Sequence, residues 1–548
     1  MNHWKDIVAS IFLGGAIAQL SLANPLDLER MAKQAMKKAT QYMVEEVSTN
    51  GGYVKLYLPD LSRRWGELET FDTQIWVGGN YPFTPHMGDI FLDAYQATGD
   101  EYYYQAAEGV ARALIWGQLE SGGWDYIIDF AGHRSLLAWY NTIGENAWGW
   151  FEYNHYYGTA TQHSNTTAAT RFLLRLYGEK RNQSLKPALD KAIDFVLQSQ
   201  FPAGGWSKRY PKKHQYPYNG LPDYTGFYNF HADVPRDNIE LLIQCYVTLG
   251  EARFLEAINR GMNFFLVTQQ GNGGWAKHYD MDLRPANGRP FEPAGISPVI
   301  TATHIRLLLR FYTYTGDRKF LTPIPAAIEF LERTRLPKEM TNGGKRTHAG
   351  VVEIGTEKPL WNHRRGTGVG DGDYWVSYDH EHVYAFGDNI KINIESLKKA
   401  YDAVSALSPE EATVNSPLKI EEFKGENPQR YGRYRENYRY YDLTPHDIGP
   451  DFYPGIRVPD EIEVKQIVGA QDELGRWLTT HAQISSPFSI SETGEASNTA
   501  LHSDPITADA ILDESGQEYL DTRTYIRYMN LLINYIGLPN REKTNAVN

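Results

Sequence analysis

Basic side chains gather in the segments that follow the glycine-rich turns of this chain, where they could bind an anion. They are Lys208, Arg209, Lys212, Lys213, His214, Lys277, His278, Arg284, Arg289, Lys345, Arg346, His363, Arg364 and Arg365. The whole chain carries a formal net charge of −13, which argues against nucleic acid as a partner. If these segments meet at one end of the fold, they form a basic cleft that focuses the electric field on an anionic ligand. Solvated loop charge is the alternative for any single residue.

Aromatic residues share these segments with the basic ones. The chain has 37 tyrosines and 13 tryptophans, and Trp206, Tyr210 and Trp275 lie beside the basic residues. Flat aromatic rings stack on sugars, and their hydroxyl and indole groups add directed hydrogen bonds. Cationic and aromatic groups together indicate an acidic polysaccharide as the ligand.

Histidines recur near the predicted starts of successive helices. They are His86, His163, His231 and His304, and His380 and His382 precede a further helical segment. Helix N-termini favour anions, and histidine is an acid or base near neutral pH. These side chains could bind substrate, act as bases or hold a transition metal, or they could simply bond to the backbone at helix ends.

A glycine-pair turn that recurs along the chain indicates which elements position these residues. Its first glycines are Gly51, Gly122, Gly204, Gly273 and Gly343, at separations of 71, 82, 69 and 70 residues. Between the turns, apolar residues recur every three or four positions, as in 237–249 and 254–266, which predicts amphipathic helices. Short breaks such as Thr98-Gly99-Asp100 and Thr315-Gly316-Asp317 would end the first helix of each pair. The repeat predicts an all-α fold, an α/α toroid of helical hairpins with long irregular loops on one face.

The ends of the chain predict export and a three-part organisation. Residues 1–23 resemble a secretory signal peptide, with a membrane anchor as the alternative, so the protein would be secreted or periplasmic and free of the membrane after cleavage. Residues 24–405 are predicted to form the catalytic toroid, and 406–548 a loop-rich C-terminal extension whose last helix, near 521–538, closes the ring. The one cysteine, Cys245, is expected in the core, and the protein is expected to be a monomer.

Three segments carry a resemblance to a known family. They are FPAGGWSKRYP at 201–211, DLRPANGRPFEP at 282–293 and EIGTEKPLW at 353–361. In this order and spacing they resemble the pectic acid lyases of polysaccharide lyase family 10. The resemblance spans roughly residues 145–365. It implies an α/α toroid that cleaves polygalacturonate by β-elimination, with calcium held by aspartates and an arginine as the base.

The resemblance also implies roles for individual residues. Arg289 would be the base or a clamp on the substrate carboxylate, and Glu292 belongs to the same motif. His163 and His231 stand where the family has its calcium aspartates, of which Asp233 remains as the predicted metal ligand. The remaining predicted substrate-binding residues are Trp206, Lys208, Arg209, Tyr210, Trp275, Lys277, His304 and Arg365. The two tryptophans would shape either sugar subsites or the turns beneath them.

Three other functions stay open on the sequence alone. A glycoside hydrolase on the same toroid would need two carboxylates across the cleft, and the loop acids form no distinctive pair. A terpene cyclase is suggested by three Gln-x-x-x-Gly-x-Trp turns, at Gln118, Gln200 and Gln269, but the Asp-x-Asp-Asp motif is missing from the sequence. A non-catalytic glycan-binding protein is the third.

Overall fold

The computed structural model describes most of the chain between residues 25 and 537. The described residues are 25–78, 83–144, 158–212, 220–231, 233–289, 292–365, 373–381, 383, 390–414, 416–419, 458–484, 488–490, 496–498, 511–512 and 516–537. The predicted signal peptide, Lys213, His214 and His382 lie outside them. Among the helices that the structure describes, none is long and apolar enough to cross a membrane.

Most of the described structure is helical. The α-helices are α1 (Pro25–Tyr42), α2 (Thr84–Thr98), α3 (Glu101–Trp116), α4 (His133–Trp139), α5 (Thr167–Lys180), α6 (Lys186–Gln198), α7 (Val234–Leu249), α8 (Arg253–Val267), α9 (Pro298–Thr315), α10 (Ile324–Arg333), α11 (Ile394–Ser405), α12 (Pro409–Ala412), α13 (Glu461–Gly469) and α14 (Thr522–Gly537). Short π-helical turns cover Met43–Val47, Tyr140–Gly144 and Gln162–Thr166, and 3₁₀ turns cover Tyr224–Gly226, Arg318–Phe320 and Lys338–Met340.

The strands are short and belong to the loops between hairpins. They are β1 (Leu56–Tyr57), β2 (Arg64–Trp65), β3 (Gln74–Trp76), β4 (Ile127–Asp129), β5 (Ala160–Thr161), β6 (Arg209–Tyr210), β7 (Tyr228–Asn229), β8 (His278–Tyr279), β9 (Pro285–Ala286), β10 (Val351–Val352), β11 (Pro359–Arg365), β12 (Asp373–Ser377), β13 (Leu478–Thr479), β14 (Gln483–Ile484), β15 (Phe488–Ile490), β16 (Ala496–Asn498), β17 (Ile511–Leu512) and β18 (Tyr519–Asp521). They pair antiparallel in small sheets, including β13-β18-β1-β2, β5-β6, β7-β8-β9 and β10-β11-β12.

Helical hairpins build the fold. Helix α2 packs on α3, α5 on α6, α7 on α8 and α9 on α10, and the first helices of successive pairs also contact one another, as α2 does α5 and α5 does α7. The predicted glycine stops are present: Gly99, Gly250 and Gly316 each take a left-handed conformation at the end of a first helix, with φ of 71°, 73° and 71°. The fold is therefore the predicted α/α toroid, with the first helices inside and the second helices outside.

A recurring set of contacts, which we call a stitch, joins an outer helix to the next one. It consists of a glutamine side chain, a closely packed glycine and a tryptophan indole. After α3, the Gln118 side chain donates from Nε2 to the carbonyl oxygens of Gly122 and of Ala188 on α6, at 2.8 and 2.9 Å. Trp124 Nε1 donates back to the carbonyl of Leu114 at 2.8 Å. A Cβ on Gly122 would lie 2.3 Å from the carbonyl oxygen of Lys191, so only glycine allows this approach. The same pattern recurs at Gln200, Gly204 and Trp206 and at Gln269, Gly273 and Trp275.

A fourth complete stitch lies in the C-terminal segment and closes the ring. Gln471 donates to the carbonyls of Gly475 and of Ala35 on α1, both at 2.9 Å. Trp477 Nε1 donates to the carbonyl of Ile467 at 2.9 Å. The sequence analysis overlooked this copy. By contrast, a Cβ on Gly343 would meet nothing within 4 Å, so the last predicted turn does not pack closely against a neighbouring helix.

The first and last described helices pack side by side, as the two helices of a hairpin do. Helix α14, near the predicted closing helix, packs on both α1 and α2, and the backbone N–H of Thr522 donates to the Lys55 carbonyl at 3.0 Å. Leu28, Trp477 and Tyr525 belong to the same buried cluster as the central hairpins. Residues on both sides of position 405 therefore share one core, and the division at 405–406 stays a prediction. Cys245 is fully buried on α7, as expected.

Candidate functional site

A tight turn after β9 places the Glu292 side chain at the centre of the site. The backbone N–H of Gly288 donates to the carbonyl of Glu292 at 2.8 Å, and the N–H of Glu292 donates to the carbonyl of Arg289 at 2.7 Å. The N–H of Arg289 also donates to Glu292 Oε2 at 3.1 Å. A Cβ on Gly288 would lie 2.4 Å from His278 Cε1 and 2.6 Å from Glu292 Oε2. Glycine at this position lets the turn close over both side chains.

The three-stranded sheet β7-β8-β9 brings a second segment to this turn. His278 on β8 stands opposite Asn229 on β7 and Ala286 on β9. Just beyond β7, the backbone N–H of His231 donates to the carbonyl of Lys277 at 3.2 Å. The start of α7, the strand β8 and the turn after β9 thus meet where the third and fourth hairpins join. We call His231, Lys277, His278, Arg289 and Glu292 the Glu292 cluster.

Glu292 forms the back of the cluster, and nitrogen groups form its front. Arg289 Nε lies 3.0 Å from Glu292 Oε2, while His231 Nε2 and Lys277 Nζ lie 3.2 and 3.7 Å from Oε1. The Glu292 side chain is 3% exposed, whereas those of His231, Arg289 and Lys277 are 33%, 20% and 16% exposed. A ligand approaching from solvent therefore meets the nitrogens before the carboxylate.

The electrostatics of the cluster fix its protonation at neutral pH. Burial alone would raise the pKa of Glu292, but the positive charges of Arg289 and Lys277 hold it well below its ordinary value. Burial, aided by the positive charges of Lys277 and Arg289 and opposed by Glu292, lowers the pKa of His231 well below its usual range. Burial also lowers the pKa of Lys277. Glu292 is therefore ionised and His231 neutral at pH 7.

His231 places its Nε2 between the Arg289 guanidinium and the Glu292 carboxylate. Arg289 NH2 lies 2.7 Å from His231 Nε2, and a guanidinium can only donate. Glu292 Oε1, which can only accept, lies 3.2 Å from the same atom, so the tautomer with its lone pair on Nε2 and its proton on Nδ1 is assigned from the shorter contact with Arg289. The arrangement provides a neutral base beside a fixed cation.

His278 was predicted only as one of the basic loop residues, and the structure makes it a member of the cluster. Its ring is 1% exposed, and Nε2 has no hydrogen-bond partner among the described residues. The ring stands edge-on to Tyr224, with centroids 5.4 Å apart, and burial is the main cause that lowers its pKa to about 4. It forms the buried side of the cluster, and its place next to Lys277 on a strand is the signal that could have assigned it there.

Other predicted substrate-binding residues lie in the interior instead. Arg209 is 1% exposed and faces the buried Asp125 at 3.7 Å. Trp206 and Trp275 are fully buried, so they shape the turns and offer no ring face to a sugar. His304 is 2% exposed and packs among aromatic rings, with the Phe230 centroid 4.4 Å away. Their burial favours structural roles for these four, and their contact with substrate stays a prediction.

Lys208 and Tyr210 are half-buried on the loop face. Lys208 Nζ lies 6.0 Å from the centroid of the Tyr224 ring, which places it on the side of the Glu292 cluster. Tyr210 packs edge-on against Phe195 and Phe201, with centroids 5.9 and 6.5 Å away. Lys208 therefore stays a candidate, while Tyr210 mainly supports the loop.

The remaining predicted residues lie apart from these contacts. Asp233 precedes α7 with φ of 54°, and its carboxylate lies 3.2 Å from Arg236 NH1. The backbone of His163 lies in the π-helical turn 162–166 and that of Arg365 ends β11; both side chains lie outside the described residues. His86 Nδ1 accepts from the N–H of Phe83 at 3.3 Å, which is the helix-end role that the sequence left open.

Several other basic residues of the predicted cleft have partners of their own within the described part of the chain. Lys212 Nζ pairs with Asp223 at 3.1 Å, and Arg284 pairs with Asp282 at 2.8 Å. Arg346 lies over the Trp361 ring, 4.1 Å from its centroid. Among the described residues of this loop, Trp375 and Tyr378 have exposed aromatic side chains, at 46% and 53% exposure. They sit at the β11-β12 hairpin and offer the ring faces that the buried tryptophans lack.

Comparison with known proteins confirms the resemblance drawn from the motifs. The profile of the pectic acid lyase family matches residues 140–297, a range that includes the whole Glu292 cluster. This match supports an enzyme that acts on a polysaccharide. No curated protein matches the sequence.

Several solved structures resemble the chain at low identity. A family 10 polysaccharide lyase from Cellvibrio cellulosa is 16% identical, with a TM-score of 0.33 over 50% of this chain and 84% of the lyase. A mutant of the Cellvibrio lyase in complex with trigalaturonic acid is 16% identical, with a TM-score of 0.33 over 58% and 96% of the two chains. An α-1,6-mannanase from Salegentibacter sp. is 11% identical, with a TM-score of 0.35 over 93% and 99%.

Proposed function

We propose that this protein is an exported polysaccharide lyase that cleaves a uronate-containing polymer, such as pectate, by β-elimination. The observation that carries the proposal is the Glu292 cluster, in which two cations and a neutral imidazole stand in front of one buried carboxylate. The cluster lies within the segment matched by the pectic acid lyase profile. Export rests on the sequence of residues 1–23.

The reaction needs a base and a positive charge close together. A base removes the proton on C5 of the uronate, beside the carboxylate, and negative charge then develops on that carboxylate. The C4–O bond breaks, a C4–C5 double bond forms, and the leaving oxygen takes up a proton. Preorganised positive charge at the carboxylate lowers the barrier because the attraction grows as the charge develops.

Arg289 suits the role of carboxylate clamp better than that of base. Its guanidinium is held by Glu292 and donates to His231, and an arginine in such a setting stays protonated. A planar guanidinium binds a carboxylate through two parallel hydrogen bonds. Of the two roles that the sequence left open for Arg289, we therefore favour the clamp.

His231 Nε2 is then the base. The His231 side chain is 33% exposed, the most of the residues that face Glu292, and it is neutral at pH 7. A substrate carboxylate that engages Arg289 competes for the hydrogen bond that now occupies Nε2. Substrate binding would thereby free the base at the moment it is needed.

The direct test measures ultraviolet absorbance when the purified protein is mixed with polygalacturonate, alginate, glucuronan or a glycosaminoglycan. The product of β-elimination absorbs because it carries a C4–C5 double bond, and a hydrolysis product does not. We expect absorbance to rise on one of the uronate polymers. New reducing ends without absorbance would instead indicate a hydrolase, and binding without any turnover would indicate a glycan-binding protein.

A further inference from the structure

The Glu292 cluster has the wrong donors for the calcium ion that the resemblance implies. Calcium takes about six to eight oxygen ligands. Glu292 is the only carboxylate of the cluster, and its two oxygens already face Arg289, His231 and Lys277. Asp233, the predicted ligand, lies against Arg236. Within the described residues, no three histidine, cysteine, aspartate or glutamate side chains come together as a metal site.

The Glu292 cluster carries more positive than negative charge. Lys277 and Arg289 face a single ionised carboxylate, so one positive charge remains uncompensated within the cluster. Lys277 Nζ lies 3.7 Å from Glu292 Oε1, beyond hydrogen-bond length, while Arg289 makes the close contact. The ammonium group is thus held more loosely by Glu292 than the guanidinium is, and one contact with Glu292 leaves further N–H donors of the ammonium for an incoming anion.

We infer that Lys277 and Arg289 together supply the charge that stabilises the substrate carboxylate, and that the enzyme needs no divalent cation. This makes Lys277 a catalytic residue, and the inference rests on the proposed lyase function. Its side chain is 16% exposed and shares Glu292 with His231 and Arg289, where the C6 carboxylate lies if C5 faces His231. As the C5–H bond breaks and charge moves onto the carboxylate oxygens, the two cations neutralise it.

The partial burial of Lys277 strengthens the attraction between its charge and a bound anion. The side chain is 16% exposed, so water screens its interaction with a bound anion less than at the surface. Removing the Lys277 charge should therefore lower kcat/KM about as much as the loss of an oxyanion-hole donor does, roughly a hundredfold or more. An arginine at this position keeps the charge and should restore part of the rate.

The test measures kcat/KM on the responsive polymer for the wild type, Lys277→Met and Lys277→Arg, each with a calcium chelator and with added calcium. Lys319→Met, at the exposed α9–α10 connection on the opposite end of the hairpins, is the control. Melting temperatures of all variants separate misfolding from lost chemistry. We expect equal wild-type activity with and without chelator, a loss of about a hundredfold in Lys277→Met, and partial recovery in Lys277→Arg.

The outcomes distinguish this inference from the proposed function. Lyase activity that disappears with the chelator, or that survives in a folded Lys277→Met protein, would overturn the inference and leave the lyase proposal standing. A wild type that gives no unsaturated product from any polymer, with or without calcium, would overturn both.

Discussion

At the residue scale, the account depends on which atom accepts a proton. Arg289, Lys277 and Glu292 are all held in their charged forms, so His231 is the one member facing solvent that changes protonation in mildly acidic solution. Its neutral state is due first to burial and then to the neighbouring cations, with Glu292 opposing them. In the proposed reaction His231 is therefore the base, and Arg289 binds the substrate carboxylate.

The first prediction concerns the pH dependence of kcat/KM, which reports the pKa values of the free enzyme. A base must be deprotonated, and the pKa of His231 is lowered, so the rate should stay level through neutral pH. It should fall only well below pH 6.5, the ordinary value for histidine. Lys277→Met removes one of the charges that lower this pKa, so the residual activity should begin to fall at a higher pH. An acid limb at or above 6.5 in the wild type would argue against His231 as the base.

The second prediction concerns the base itself. His231→Gln retains a polar side chain of similar reach but cannot take up the proton, so kcat should fall by roughly a hundred- to ten-thousandfold. KM should change little, because Arg289 and Lys277 still bind the carboxylate. Steady-state kinetics on the responsive polymer would check this. A large rise in KM with an unchanged kcat would show that His231 only binds substrate.

At the element scale, a tight turn and a short sheet hold these residues. The turn 288–292 places Glu292 behind the cluster, and β8 carries His278 and the adjacent Lys277 to it. These contacts join segments near residues 231, 278 and 290 that are far apart in sequence. Their local motifs indicated Arg289, Glu292 and His231, but no local pattern shows that Lys277 faces Glu292 or that His278 is buried.

Gly288→Ala tests the turn. The added Cβ would come within 2.4 Å of His278 and 2.6 Å of Glu292 Oε2, so the side chains must move. A displacement of about 1 Å at a catalytic site can cost roughly a hundredfold in rate, and we expect a loss of at least tenfold. Gly271→Ala is the matched control, since its Cβ would meet nothing within 4 Å. Equal activities of the two variants would show that the turn does not set the catalytic geometry.

At the scale of the whole molecule, the repeat of glycine turns was enough to predict a toroid, because each turn is a local feature with its own sequence signature. It was not enough to identify the buried tryptophans. The same Gly-Gly-Trp pattern fits a sugar subsite or a stitch, and only the interior position of Trp206 and Trp275 decides between them. The stitch at Gln471 was overlooked because it stands in a segment read as loop-rich.

Gln471→Met tests whether the C-terminal segment is a full part of the ring. The substitution removes two hydrogen bonds, to Gly475 and to Ala35 on α1. The loss of two hydrogen bonds, at about 0.5–1.5 kcal/mol each, should cost roughly 1–3 kcal/mol in the free energy of unfolding. Gln269→Met removes the equivalent pair in the central stitch and should cost a similar amount. An unchanged main transition in Gln471→Met alone would show that residues after 405 unfold as a separate unit.

The measurement that tests the central claim most directly follows ultraviolet absorbance and new reducing ends in the same digest of polygalacturonate. A lyase forms one C4–C5 double bond for each bond that it cleaves, so the account predicts equal molar amounts of unsaturated and reducing ends. Reducing ends without the matching absorbance would contradict it and assign the activity to hydrolysis.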